Sequence, residues 1–292
     1  MISKTTYSTC FVSECREHST YLKHVRAPLF RKSFQVEGAD AEGEILLCGL
    51  GFYELYVNGQ RITKGYLAPY ISNSDHLTYY DRYDITPCLQ KGENVIAILL
   101  GDGFQNGKTR TWDFIDNVFN SAPKLAISVL VEAAGHTLSF DGMDFSCKKG
   151  PVWFNDLRSG IFFDRRLEEK GWMEPGFVED TGWHVPLLAD RPRGVARICE
   201  ADPIVVKREL RPVQIWRGRL EEYAPRGDVE DCLFGQEPEE TAPRREGGYI
   251  YDFGENNAGI YRLRIKGYPG QRIDIQCGEM LSGDAMDYSN IN

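Results

Sequence analysis

The residues best equipped for chemistry lie in short, loop-like stretches. In TRTWDFIDN, Trp112 stands beside Asp113 and Asp116. A flat indole next to two carboxylates can stack on the apolar face of a ring while accepting hydrogen bonds from its hydroxyls, which is how lectin-like sites hold carbohydrate. The alternative is a loop aromatic packed on the end of a sheet. Asp102, in the turn Gly101-Asp102-Gly103, offers a hard oxygen donor for a sugar hydroxyl or a calcium ion. Since no EF-hand-like loop surrounds it, an Asx-type turn closing a strand is the competing reading. Asp164, Arg165 and Arg166 form a charged run whose planar guanidinium groups suit a ligand or a partner's carboxylate. Ordinary ion pairs near a strand end are the competing account.

Other chemistries are excluded by pattern. His136 and His184 have no nucleophile motif such as G-x-S-x-G near them, and Glu168-Glu169 reads as a solvated strand end. The eight cysteines, at 10, 15, 48, 88, 147, 199, 232 and 277, include no C-x-x-C pair and no His/Cys cluster at zinc spacing. No cofactor is expected, calcium being the one ion left open and the metal otherwise unknown. A balance of 34 Lys+Arg against 43 Asp+Glu, net charge -9, argues against nucleic acid as a partner, because phosphate binding relies on concentrated positive charge. No stretch approaches the ~20 apolar residues of a membrane span, so no membrane partner is expected. The first residues lack the ~7 to 15 apolar positions of a secretory signal. A cytoplasmic protein with reduced thiols is the expectation.

The elements that must position these residues are strands. Helical periodicity is nearly absent, while short alternating or apolar runs closed by Gly, Pro, Asn and Asp recur, so the fold class is all-β. In YELYVNGQRI, residues 53–62, Asn58-Gly59 supplies the two positive-φ positions of a tight hairpin and sets Val57 opposite Gln60. GENVIAILLGDGF, residues 92–104, is apolar on both faces from Val95 to Leu100, as expected for a central strand covered on both sides. The intervening LAPYISNSDHLTYYDRYDITPCL, broken by Pro69 and Pro87, reads as loop and short edge strands. KLAISVLVEAAGHTLSFD, residues 124–141, is a further hairpin turning near Ala134-Gly135-His136. Trp172 and Trp183 bracket a Pro175-Gly176 turn. From Glu221 to Gly248 the chain is rich in charge, Gly and Pro without periodicity. Beyond it, Tyr261, Leu263 and Ile265, a Tyr-Pro-Gly turn, then Ile273, Ile275 and Cys277 predict a half-buried antiparallel hairpin.

Two stretches in order resemble the N-terminal modules of bacterial α-L-rhamnosidases. The first is GLGFYELYVNGQRI continuing through LAPY, LTYYDRYDIT, KGENVIAILLGDGF and FFDRRLEEKGW; the second is YDFGENNAGIYRLRIKGYPGQRIDIQCGEML. Phe104 stands where many members carry Trp after the Gly-Asp-Gly turn, and Ser159-Gly160-Ile161 where many carry Gly-Glu. The resemblance implies a jelly-roll β-sandwich related to galactose-binding modules over residues 1–200. It further implies a linker or long surface loop with edge strands over 201–248 and the start of an incomplete second β-sandwich over 249–292. In that family an (α/α)6 barrel follows and carries the acid and base carboxylates of an inverting hydrolysis, a pair that must stand ~6.5 to 9.5 Å apart. No catalytic residue carries over to this chain. The implied role is that of an accessory region for rhamnose-containing carbohydrate whose partner is the missing catalytic domain. Asp102, Trp112, Asp113, Asp116, Asp164 and Arg165 are its candidate sugar contacts, and Asp252, Glu255 and Asn256 its candidate domain interface. A free-standing carbohydrate-binding module and a truncated gene product are the alternatives, and the oligomeric state is open.

Overall fold

The computed structural model describes residues 5–20, 23–106, 121–157, 160–218 and 248–287, apart from 272, 274, 276 and 284. Trp112, Asp113 and Asp116 lie outside the described residues, as does all but Gly248 of the Glu221–Gly248 segment. The chain divides into two compact units, Met1–Val205 and Val206–Asn292. No helix among the described residues is long and apolar enough to cross a membrane.

The strands of the first unit are β1 (Phe11–Ser13), β2 (Pro28–Val36), β3 (Glu42–Leu50), β4 (Tyr53–Val57), β5 (Gln60–Arg61), β6 (Leu77–Asp84) and β7 (Gly92–Leu100). They continue as β8 (Lys124–Ala133), β9 (His136–Asp141), β10 (Ser146–Lys149), β11 (Val152–Asp156), β12 (Gly160–Phe163), β13 (Leu187–Ala189) and β14 (Val195–Ile198). Among the described residues one sheet runs β13-β1-β8-β3-β6-β14, with β9 beside β8, and a second runs β10-β2-β7-β4-β5. From β2 to β10 the chain passes back and forth between the two sheets, the connectivity of a jelly roll.

Burial follows the pleat. Ile96, Ile98 and Leu100 of β7 face Ile45, Leu47, Leu125, Ile127 and Val129 of the other sheet in the main core. Val95 and Ala97 point the other way, into a second cluster with Leu29, Trp172 and Trp183. The 172–183 segment therefore roofs the five-stranded sheet, which is why β7 needs apolar residues at consecutive positions. The seven-stranded sheet is roofed similarly: Leu46, Cys48 and Leu50 of β3 pack with Phe11 and Tyr80, against Ala189, Ala196 and Ile198.

The turn chemistry acts as expected. Asn58 and Gly59 sit at φ 50 and 81, with Val57 opposite Gln60. Ala134 and Gly135, at φ 49 and 76, turn β8 into β9 with Ala133 opposite His136. Two stretches differ from the sequence reading. Residues 77–84 form one eight-residue strand, β6, between β3 and β14 rather than a short edge strand. Its Asp81 and Tyr83 are buried, at 5% and 4% exposure, because hydrogen bonds offset the desolvation of their polar atoms. In the second unit the described residues between 259 and 277 form no ladder, although the turn is made: Gly270 has φ 82 and Gln271 N donates to Tyr268 O at 3.1 Å. Tyr261, Leu263 and Ile265 are 63, 51 and 61% exposed, so the burial that would hold a hairpin face is not supplied. The strands of this unit are β15 (Gln214–Gly218) paired with β16 (Gly248–Asp252), and β17 (Met280–Ser282) paired with β18 (Ala285–Asp287).

Candidate functional site

One end of the sandwich is built by two glycine turns pressed together. The two-residue connection between β3 and β4 contains Gly51 at φ +141, where a Cβ would stand 2.0 Å from the Gly101 carbonyl oxygen. Gly101 N in turn donates to Phe52 O at 2.6 Å. Asp102 follows, 2% exposed, with its main-chain N donating to Asn155 Oδ1 of β11 at 2.6 Å. At that exposure its carboxylate presents almost no surface to solvent. Around it stand aromatic rings: Phe52 and Phe104 meet edge to face at 5.4 Å, and Tyr70 and Tyr79 do so at 6.5 Å. Together with Pro69 and Gln105 these line a cavity of about 20 Å³, room for roughly one water. Tyr70 is 55% exposed, so among the described residues this end offers a stacking surface and not a deep pocket.

Behind it, Tyr53 of β4 donates its hydroxyl to the Asp81 carboxylate of β6, and its oxygen lies 2.8 Å from the Tyr83 hydroxyl. The two sheets are thereby joined through polar atoms inside the core. Burial holds the Asp81 carboxyl above the usual carboxylate range, opposed by the Tyr53 hydroxyl and by Lys64. Burial also pushes both phenols up. These polar atoms, on residues 3 to 5% exposed, tie β4 to β6 within the core.

The charged run at 164–166 satisfies itself. Asp164 caps a short 3₁₀ turn, accepting from Arg166 N at 3.0 Å, and pairs with the Arg166 guanidinium at 2.8 and 2.6 Å. That guanidinium lowers the carboxyl to about 2. Arg165 is exposed and lies 3.5 Å from Glu168. Sequence reasoning did not single out Glu14, Arg26, Lys148 or Lys149, which with Leu167 and Glu169 line a cleft of about 460 Å³. They come from chain positions more than a hundred residues apart, and no local pattern announces them.

In the second unit Asp252 accepts from Gly254 N at 2.7 Å, while its carbonyl accepts from Val213 N at 2.7 Å. Glu255 pairs with Arg208 at 2.5 Å, and Asn256 is exposed. These residues build a turn after β16. No group of three or more His, Cys, Asp or Glu side chains arranged to hold a metal ion occurs among the described residues.

Comparison with known proteins is consistent along the chain. Residues 243–291 match the family described as bacterial alpha-L-rhamnosidase concanavalin-like domain. An alpha-L-rhamnosidase of Formosa agariphila is 27% identical over 89% of this chain, and the chain spans 25% of that relative's length. The solved alpha-L-rhamnosidase of Dictyoglumus thermophilum superposes with TM-score 0.62 at 28% identity, covering 71% of this chain and 24% of that one. The Streptomyces avermitilis alpha-L-rhamnosidase, solved with L-rhamnose, superposes with TM-score 0.58 at 25% identity, covering 68% and 21%. With residues 40–208 matching the family described as alpha-L-rhamnosidase N-terminal domain, the chain belongs to that family.

Proposed function

We propose that these residues form the non-catalytic, N-terminal β region of an α-L-rhamnosidase, a scaffold that packs against further domains of the enzyme and helps present rhamnose-containing glycans to them. The observation that carries this reading is the order of the two family matches, 40–208 then 243–291, in a chain spanning a quarter of its Formosa relative. The packing supports it. Each sheet of the sandwich is roofed on its outer face, whereas the second unit exposes Tyr249, Tyr251, Ile260 and Ile265 at 50–70%. Exposed apolar surface of that extent suits a partner domain. Asp252, Glu255 and Asn256 lie in the same unit and are the positions we assign to that contact.

The test is direct. The isolated chain, incubated with an aryl α-L-rhamnoside, should release no aryl alcohol above background; turnover at an enzyme-like rate would overturn the scaffold role. A second reading, a free-standing carbohydrate-binding module, is favoured by exposed Tyr70 beside Tyr79. It requires that Tyr70→Ala weaken binding of L-rhamnose in calorimetric titration.

A further inference from the structure

Residues 194–204 run along one edge of the first unit as a strap held mainly by its backbone. Its centre, β14, pairs in parallel with β6, Val195 opposite Leu77 and Ile198 opposite Tyr80, and ends the strand order of its sheet among the described residues. Parallel pairing is slightly less stable per residue than antiparallel. Ala196 and Ile198 pack on the cluster of Leu46, Cys48 and Leu50, while Val195 and Ile204 are 66 and 55% exposed. Main-chain hydrogen bonds fasten the strap along its length. Gly194 N donates to Ser74 O at 2.9 Å, Val195 N to His76 O at 3.1 Å and Cys199 N to Tyr80 O at 2.8 Å, and Ile204 O accepts from Tyr66 N at 2.8 Å.

Each end is fitted by a glycine. At Gly194 a Cβ would stand 2.5 Å from Ser74 O and 2.6 Å from Leu77 N; at Gly65, φ +65, it would stand 2.2 Å from Ile204 O. Backbone therefore lies directly on backbone at both ends, an approach that a side chain would prevent. Arg61 holds the receiving loop in place. It pairs with Glu54, donates to the Gly65 carbonyl and sets its guanidinium 5.1 Å from the Tyr66 ring centre.

A segment with close contacts at its ends and little apolar burial between them separates from a packed core as one cooperative piece. We propose that residues 194–204 form a strap latched at two points, so that releasing either the Gly194 end or the Gly65 end frees the whole strap and uncovers Cys48 while the two sheets stay folded. This device is independent of the scaffold role.

Native-state hydrogen exchange of the intact chain, combined with iodoacetamide labelling of Cys48, tests it. In the unsubstituted protein the amides of Tyr66, Val195 and Cys199 should share one protection and exchange at least about tenfold faster than the β3–β8 ladder. Gly65→Ala should accelerate Val195 and Cys199, and Gly194→Ala should accelerate Tyr66, each about tenfold, with Cys48 labelled faster by a similar factor. Gly135→Ala, whose Cβ meets nothing within 4 Å, should leave the strap amides and Cys48 unchanged. The proposal is overturned if acceleration stays at the substituted end, if Cys48 labelling does not follow it, or if Gly135→Ala accelerates the strap equally, since the strap then opens only with the whole fold. Should Gly65→Ala or Gly194→Ala fail to fold, the unsubstituted protein decides: strap amides exchanging no faster than the β3–β8 ladder overturn the proposal.

Discussion

The Nε of Arg31, on β2, donates to the main-chain carbonyl of Trp172, 3.0 Å away and 141 residues further along the chain. The same guanidinium pairs with Glu179 at 2.9 Å and lies 5.3 Å from the Phe177 ring centre. One buried side chain, 3% exposed, thus fastens the segment whose Trp172 and Trp183 roof the five-stranded sheet.

Arg31→Met should cost about 2 kcal/mol, since the carbonyls it satisfies lose a charged donor. Chemical denaturation measures the loss, and tryptophan fluorescence should shift to the red as the roof loosens. An unchanged midpoint and emission maximum would show that the apolar contacts suffice to hold it.

Two glycines with positive φ should respond very differently to alanine. At Gly51 the new Cβ meets the Gly101 carbonyl oxygen at 2.0 Å, whereas at Gly135, φ +76, nothing lies within 4 Å. Gly135→Ala should cost about 1 kcal/mol, the strain of the left-handed backbone alone. Gly51→Ala should cost about 4 kcal/mol or prevent folding, because backbone must move. Similar thermal midpoints for the two variants would contradict this.

Asp81 should make stability depend on pH in a defined direction. Its folded value is raised, with burial as the largest cause, so the folded chain holds the proton more tightly than the unfolded one. The penalty is absent below about pH 4, where both states are protonated, and grows as the pH climbs towards the raised folded value. Compared with Asp81→Asn, the native protein should therefore gain stability on acidification from neutral pH towards pH 4. Urea midpoints for the pair, taken across that window, check it; a constant difference rules it out.

Thiol labelling should follow burial. Burial pushes Cys15 up to about 11 and Cys147 up to about 12, and Cys48, fully enclosed, further still. Iodoacetamide at pH 8 acts on the thiolate, so the native chain should be alkylated at exposed Cys277 long before these three. Peptide mass spectrometry reads the order, and early modification of Cys48 would mean that the sandwich opens.

Much of the fold is legible locally. Asn58-Gly59 and Ala134-Gly135 encode positive-φ hairpins in two residues each, and the apolar run from Val95 to Leu100 announces a strand covered on both faces. The strand at 77–84 was not legible, because its alternation is carried by Asp81 and Tyr83, whose burial depends on Tyr53 from another sheet. The hairpin pattern at 261–277 was legible as a pattern, but a pattern of half-buried residues pairs only where something covers it. As for the candidate sites, Asp102 and Asp164 were found as chemistry-bearing residues. Their surroundings decide what each does: the Asn155 side chain accepts from the Asp102 main-chain N, and Arg166 pairs with the Asp164 carboxylate.

The sequence by itself determined the all-β class, the tight turns and the doubly covered central strand, because period and turn chemistry act over a few residues. Only the tertiary structure decided that Arg31 clamps Trp172, that Tyr53 bridges the sheets and that Glu14 ends buried beside Arg26, Lys148 and Lys149. Those relationships join residues as far as 141 positions apart, and which of them meet depends on how strands are dealt between two sheets, a choice that no short stretch of chain contains.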